Sequence, residues 1–437
     1  ERWHFYDENI GELGDPEPSR NADDLVTAGN FPSAVGHHQQ RRFFGGSTND
    51  PQTFFASRSG TESDFAFHLP ALPTDRLKWE IAVRRFADIR HIVPLGDLLM
   101  LTGSSEIRAF PVDGQVLSPD TIATIAQSHV GSSRVRPQLV HHSMVFAGAR
   151  GGHVYEIGYN QDRGGYQPAD LSLRASHLFD GLDLVDSAQS KSPFPILWFT
   201  NTEGQLLGLT YVPEEGIAGW HVHETQGDFE SVAVAQEGDE DRVYAVIKRT
   251  IDGSTVRTLE RMGTIAFDEL EDWCALDGAV TRTSGLPATT VTGLDHLEGE
   301  VVAVFRDGNL HPNRAVASGS ITLAASATSK VHVGLAFTAE LETLPLALQI
   351  EAYAQGRNMN VKRAILRMVR TANVQVGPDD TKLTNVWPLT STQELHDTLE
   401  DVTQRGQWAL GGPILVRQPY PLPVTLVSMT LDLAIGD

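Results

Sequence analysis

Hydrophobic positions along this chain fall in short clusters, and few follow the 3.6-residue spacing of a helix. The runs "LLMLT" (98–102), "SMVFAGA" (143–149), "HVYEIGY" (153–159), "ILWFT" (196–200), "ESVAVA" (230–235) and "RVYAVIKRT" (242–250) are bounded by Gly, Asp, Asn or Pro. Short apolar runs closed by turn residues predict strands. Asp252-Gly253 and Asp307-Gly308 supply the positive φ of two-residue hairpin turns, and residues 201–204 form a comparable, slightly longer link. "GARGGHVYEIG" (148–158) reads as a further hairpin turn. Successive hairpins predict a meander.

Two segments read as helices. In "SPDTIATIAQSHV", Ser118 is placed as an N-cap, with Pro119 at the first helical position and Ile122, Ile125 and Ala126 on one face. "ADLSLRASHLF" predicts a short second helix behind Asp170. From residue 294 onward, "SITLAAS", "KVHVGLAF" and "AILRMVRTANVQVG" alternate as strands do. No repeat of fixed signature positions is visible, so any propeller in the chain has divergent blades.

A length of 437 residues predicts several domains or one large repetitive β architecture. The longest apolar segment, "TLPLALQI" (343–350), is shorter than the run of about 18 that a membrane helix needs. A single cysteine, Cys274, excludes an intramolecular disulfide and reads as a small, partly buried apolar residue. The formal charge of −22, from 56 acidic and 34 basic residues, argues against a phosphate-neutralising DNA reader. It fits a non-adhesive surface, or a protein past which nucleic acid slides.

Candidate chemistry is sparse. His221 and His223 project from one face of a strand, but two imidazoles do not complete a zinc site. The members of His37-His38 and of His141-His142 diverge if they lie on strands, so solvated or hydrogen-bonded histidines are expected. Residues 148–158 lack the ending of a phosphate loop, and there is no nucleophile elbow. Asp180, Asp183 and Asp186 have the wrong spacing for a calcium loop, and "QEGDEDR" (236–242) reads as a charged turn.

Taken in order, several segments resemble the nozzle, or tail tubular protein B-like, proteins of short-tailed bacteriophages. "QQRRFFGGSTNDPQTFFASRSGTESDF" (39–65) carries Arg41, Pro51, Gln52 and Ser57 at that family's positions. "LLMLTGSSEIRAF", "LSPDTIATIAQSHVGSSRVRP" and "GHVYEIGYNQDRGGYQPADLSLRASHLF" follow. Residues 196–234 then bring Trp198, Gly208, Tyr211, Trp220 and His221, and the next hairpin ends in Leu-Glu-Arg-Met with Glu260 and Arg261. "VTGLDHLEGEVVAVFRDGNL" (291–310), with Gly293 and Gly299, and "VHVGLAFTAELETLPL" (331–346) continue the likeness. The agreement runs from residue 39 to about residue 377.

The resemblance implies a mainly β protein, β-propeller-like with divergent blades plus additional small β domains and few short helices. The expected divisions are an irregular lead-in over 1–40, a propeller-like region over 41–275, a small β domain or insertion over 276–345 and a C-terminal β region over 346–437. Family members carry a larger region before the arginine segment, so a truncated N-terminus is expected. The implied role is structural: a homo-hexameric ring in the virion tail, assembled in the bacterial cytoplasm, that conducts double-stranded DNA. Implied partners are the adaptor and portal-proximal proteins, and tail fibres or the tail tip. Neither a catalytic residue nor a cofactor or metal comes with the family. The rival is a carbohydrate-active or host-glycan-binding propeller, marked by a cleft that gathers two acids beside Trp198, Trp220 or Trp273.

Overall fold

The structure, a computed structural model, describes residues 29–82, 87–114, 116–283, 287–346, 357–390, 392–404, 406 and 408–436. It is almost entirely antiparallel β-sheet. The chain divides into two compact units: unit 1 runs up to Glu224 and again over Phe229–Val243, and unit 2 comprises Thr225–Asp228 and Tyr244–Asp437.

Unit 1 contains four consecutive four-stranded meanders. They are β1 (Ala34–His38), β2 (Arg41–Gly45), β3 (Thr53–Ala56) and β4 (Leu77–Glu80); β5 (Ile89–Pro94), β6 (Leu98–Thr102), β7 (Glu106–Pro111) and β8 (Ile122–Ser128); β9 (Gln138–Val140), β10 (Ser143–Ala147), β11 (Val154–Asn160) and β12 (Gly165–Asp170); and β13 (Leu184–Ser190), β14 (Ile196–Asn201), β15 (Leu206–Val212) and β16 (Ile217–His223). Four-stranded up-and-down sheets in series are the blades of a β-propeller-like fold. Strand β1 lies inside the expected irregular lead-in, because Val35 to Phe44 pairs across a turn at Gln39 and Gln40, both at positive φ.

Alternation along the strands explains how the blades stack. In β6, Leu98 and Met100 join a core with Phe43, Phe54 and Leu77 of the first blade, while Leu99 and Leu101 join Met144, Phe146 and Ile157 of the third. In β10, Val145 turns the other way, onto Leu197, Phe199, Leu207 and Leu209 of the fourth blade. A strand buried on both faces reads as a continuous apolar run, which is why "LLMLT" and "SMVFA" lack polar alternation. Each such side chain contributes about 1.5–3 kcal/mol by leaving water.

The helix expected from Ser118 is a single turn. Thr121 N–H and Ile122 N–H donate to the Ser118 carbonyl at 3.2 Å, after which the chain becomes β8. β-branched Ile122, Thr124 and Ile125 disfavour helix propagation, and β7 offers them a ladder in which Phe110 pairs with Ala123. The second expected helix is present as a 3-10 segment, Leu173–Leu178, preceded by Ser172. Asp170 accepts from the Ser172 N–H and hydroxyl just before it.

The sheet of β17 (Asp228–Glu237), β18 (Glu240–Ile251) and β19 (Ser254–Arg261) follows, and the division between units falls within β18. Asp252 and Gly253 close its second hairpin at φ +46° and +73°, with Ile251 opposite Ser254.

Unit 2 continues with β20 (Asp277–Arg282), β21 (Ala288–Thr292), β22 (Val301–Arg306), β23 (Asn309–Ala315), β24 (Ser320–Ala327) and β25 (Val331–Leu335). The sheet β20-β25-β22-β23 and the ribbon β21-β24 enclose one core, including Leu294, Val304, Ile321 and Val333. Asp307 and Gly308, at φ +48° and +74°, form the expected tight turn between β22 and β23.

The remaining strands are β26 (Ala339–Glu342), β27 (Asn358–Thr371), β28 (Gln375–Gly377), β29 (Thr384–Asn385), β30 (His396–Thr403), β31 (Ala409–Leu410), β32 (Leu415–Gln418) and β33 (Leu426–Ile435). Their pairings cross the sequence: β26-β32-β28-β29 forms one sheet, and β27 is flanked by β30 and β33 in another. The expected apolar segment over 343–350 is described only to residue 346.

Candidate functional site

The positions that carry the family resemblance sort into local knots. Arg41, 3% exposed, donates to the carbonyls of Ser57 (2.8 Å), Asp75 (2.6 Å) and Pro73 (2.7 Å), tying the segment after β3 back to β2. Ser57 hydroxyl accepts from Arg42 N–H and donates to the Thr61 carbonyl. Pro51 and Gln52 accept through their carbonyls from the N–H groups of Ile89 and Ile81, each at 3.0 Å.

In the fourth blade, Trp198, Gly208 and His221 lie opposite one another on adjacent strands. A side chain at Gly208 would place Cβ 2.0 Å from the His221 ring; its absence lets Trp198 and His221 meet edge to face at 5.7 Å. Trp198 is 3% exposed, and its indole N–H donates to Ser190. On the opposite face, Trp220 donates to the Leu171 carbonyl at 2.9 Å and packs edge-on against Phe179 at 4.7 Å. Tyr211 hydroxyl donates to Glu156 at 2.6 Å, and burial, then that carboxylate, pushes its pKa up.

His221 and His223 share a hydrogen bond of 2.8 Å between Nδ1 and Nε2. Burial, followed by the neighbouring imidazole, lowers His223 to about 4. The pair is a neutral, packed contact beside Trp198. Among the described residues no group of three or more His, Cys, Asp or Glu is arranged to hold a metal ion.

Glu260, at the end of β19, receives both arms of Arg249 at 2.8 Å, the Thr258 hydroxyl at 2.7 Å and Gly278 N–H at 3.2 Å. Burial raises its pKa, but the Arg249 and Thr258 donors outweigh that and hold it below the usual range. Arg261 lies exposed at the next position, while Gly293 and Gly299 occupy turns at φ +84° and +81°. The thirteen positions therefore do not converge on one site. Cys274 is half-buried, and burial pushes its thiol pKa up.

A second cluster has the residue types of a catalytic triad. Ser172 Oγ lies 3.0 Å from His153 Nδ1, which is 3.1 Å from Asp170, while His153 Nε2 faces Asp180 at 3.2 Å. Ser172 is fully buried, and its hydroxyl donates to Asp170 at 2.6 Å. A nucleophile needs an accessible oxygen with the base as its acceptor. This network ties β11 to the end of β12.

One cleft in unit 1 gathers polar and aromatic side chains. It has a volume of about 630 Å³ and opens between the second and third blades. Asp97 and Arg108 form an ion pair at 2.7 Å, and the guanidinium lies 4.5 Å from the Phe110 ring and 5.6 Å from that of Tyr159. Tyr159 and Tyr166 face each other across β11 and β12 in a T-shaped contact of 5.3 Å. Tyr166 hydroxyl accepts from Asp97 N–H, and burial raises its pKa. His141 and His142 also line it, with His141 Nδ1 3.4 Å from the Glu214 carboxylate. They lie in the two-residue turn between β9 and β10, with His141 at φ +51°, and are not the strand residues expected from the sequence. The residues come from separate stretches with no motif, so sequence reasoning missed the cleft. It holds one acid and none of the three tryptophans on which the rival enzyme rests.

No protein-family profile matches the chain, and no curated protein matches it. Solved structures similar to it include an exo-beta-1,3-galactanase from Phanerochaete chrysosporium with beta-1,3-galactotriose: 8% identity, 93% of this chain and 96% of that one, TM-score 0.29. YCF48 bound to D1 peptide is 11% identical over 70% of this chain and 94% of its own, with TM-score 0.33. A luciferin-regenerating enzyme is 11% identical over 70% and 92%, with TM-score 0.29.

Proposed function

We propose that this chain is a structural subunit of a short-tailed bacteriophage tail nozzle, acting as one of six copies in a ring through which double-stranded DNA leaves the capsid. The observation that supports this most is where the resemblance falls. Arg41, Ser57, Trp198, Gly208, Tyr211, Trp220 and Glu260 all spend their chemistry inside the protein, on carbonyls, rings and carboxylates that hold strands together. A protein that works by being stiff needs this use of polar side chains. On this reading it makes and breaks no bond and needs no cofactor.

Charge supports the same role. Six copies of a chain with net charge −22 repel phosphates, and salt screening keeps the barrier short-ranged. Sheets arranged as blades leave few long unpaired edges to capture other chains. The ring docks on adaptor and portal-proximal proteins, with tail fibres or the tail tip beyond it.

Light scattering on the purified chain, alone and with the adaptor and portal proteins, tests the proposal. Six copies are expected in at least one condition, read as six times the mass of the chain alone or as that mass added to the adaptor–portal assembly, with no retention of double-stranded DNA at low salt. A monomer in both conditions, or tight salt-dependent DNA binding, would contradict it.

A further inference from the structure

We propose that the cleft between the second and third blades of unit 1 binds a neutral saccharide, a segment of a surface glycan. The chemistry of its walls selects the ligand class. Arg108 is the only permanent cation among the lining residues, and it is already compensated by Asp97 at 2.7 Å and flanked by Phe110 and Tyr159. A phosphate or sulfate would have to displace Asp97, against a protein whose net charge is −22. Metal cations fare no better: the one carboxylate is paired with Arg108, and among the described residues it forms no group of three His, Cys, Asp or Glu ligands with His141 and His142.

An apolar ligand would strip water from the ion pair and two imidazoles without replacing their hydrogen bonds, which opposes binding. A polyhydroxylated ring meets none of these objections. Its hydroxyls both donate and accept, matching carboxylate oxygens, guanidinium N–H groups and imidazole nitrogens. Its C–H face suits an aromatic ring with one apolar side and one wet side. Tyr159 is 46% exposed at the cleft, held in place by Tyr166 and Arg108, so little ordering remains to oppose binding. The volume of about 630 Å³ lies within the common range for small-ligand sites, roughly 300–1,000 Å³, and admits a short oligosaccharide.

Glycan binding here is independent of the DNA-conduit role, and either can fail alone. The test uses the full chain on a printed array of neutral oligosaccharides, with saturation-transfer NMR for any hit and inorganic phosphate as the anionic comparator. At least one neutral glycan is expected to bind. Tyr159→Ala and His142→Ala, the latter on the exposed turn, are each expected to weaken it about tenfold, roughly 1.4 kcal/mol. Leu173→Ala, at an exposed position outside the cleft, should leave it unchanged. Near-UV circular dichroism checks that each variant is folded. Absence of any neutral hit, binding indifferent to both cleft variants, or phosphate bound in preference would overturn the proposal.

Discussion

In the four meanders of unit 1 each strand pairs with its neighbour in the chain, whereas in unit 2 strand β27 pairs with β30 and β33, so that Met359 meets Ile435. The cores differ in kind as well. Blades of unit 1 are held face to face by apolar layers on both sides of β6 and β10. Unit 2 places a charged knot near its start, where Arg249, 1% exposed, is satisfied by Glu260 and the Gln226 carbonyl. A layered stack tolerates loss of a polar contact better than loss of volume; a buried guanidinium does the reverse.

The largest effect is expected from Phe146→Ala. Phe146 is fully buried between the second and third blades, and truncation should cost about 3–5 kcal/mol. Hydrogen exchange should show faster opening in unit 1 than in unit 2; equal acceleration in both would erase the contrast. Next comes Glu260→Ala, which leaves the buried Arg249 without its carboxylate. A loss of about 3 kcal/mol is expected by denaturant melts, with Arg249→Met/Glu260→Leu clearly milder. A double variant as unstable as the single one would show that packing, not charge, holds the knot.

Gly208→Ala sharpens the view of the fourth blade. The added Cβ collides with the His221 ring, so a loss of about 1–3 kcal/mol is expected, largely restored by His221→Ala in the same chain. Without that rescue, the glycine serves something other than ring contact.

The smallest effect is a slope in pH. His223 in the folded protein titrates at about 4, below its ordinary 6.5. Between these values the unfolded chain takes up a proton that the folded chain refuses, so stability falls as pH drops through that window. Thermal melts from pH 7 to pH 4 should show this decline, and His223→Gln should make it shallower, the remainder coming from His38, His91, His221 and His332, which burial also lowers. An unchanged slope would place the sensitive group elsewhere.

What could be read from the sequence follows the same division. "LLMLT" became β6 without a shifted residue, and the Asp-Gly turns closed two-residue hairpins, because these features depend on neighbours in the chain. Ser118 carried a helix-start signature that yields one turn, since the pairing of β8 with β7 decides the matter from outside the segment. The partners of β27 lie tens of residues away, and alternation alone does not name them. The cleft was illegible for a related reason. Asp97, Arg108, His142 and Tyr159 have no common spacing until two blades stack. His221 and His223 were legible as a pair on one face; that they bond to each other beside Trp198 depends on the pairing of β14, β15 and β16.

Electron microscopy of virions that carry this chain, with the chain labelled, tests most directly whether it is a piece of tail architecture. Label on a sixfold ring below the portal is the expected result. Particles with a complete tail and no label on it, alongside soluble monomer, would contradict the proposed role.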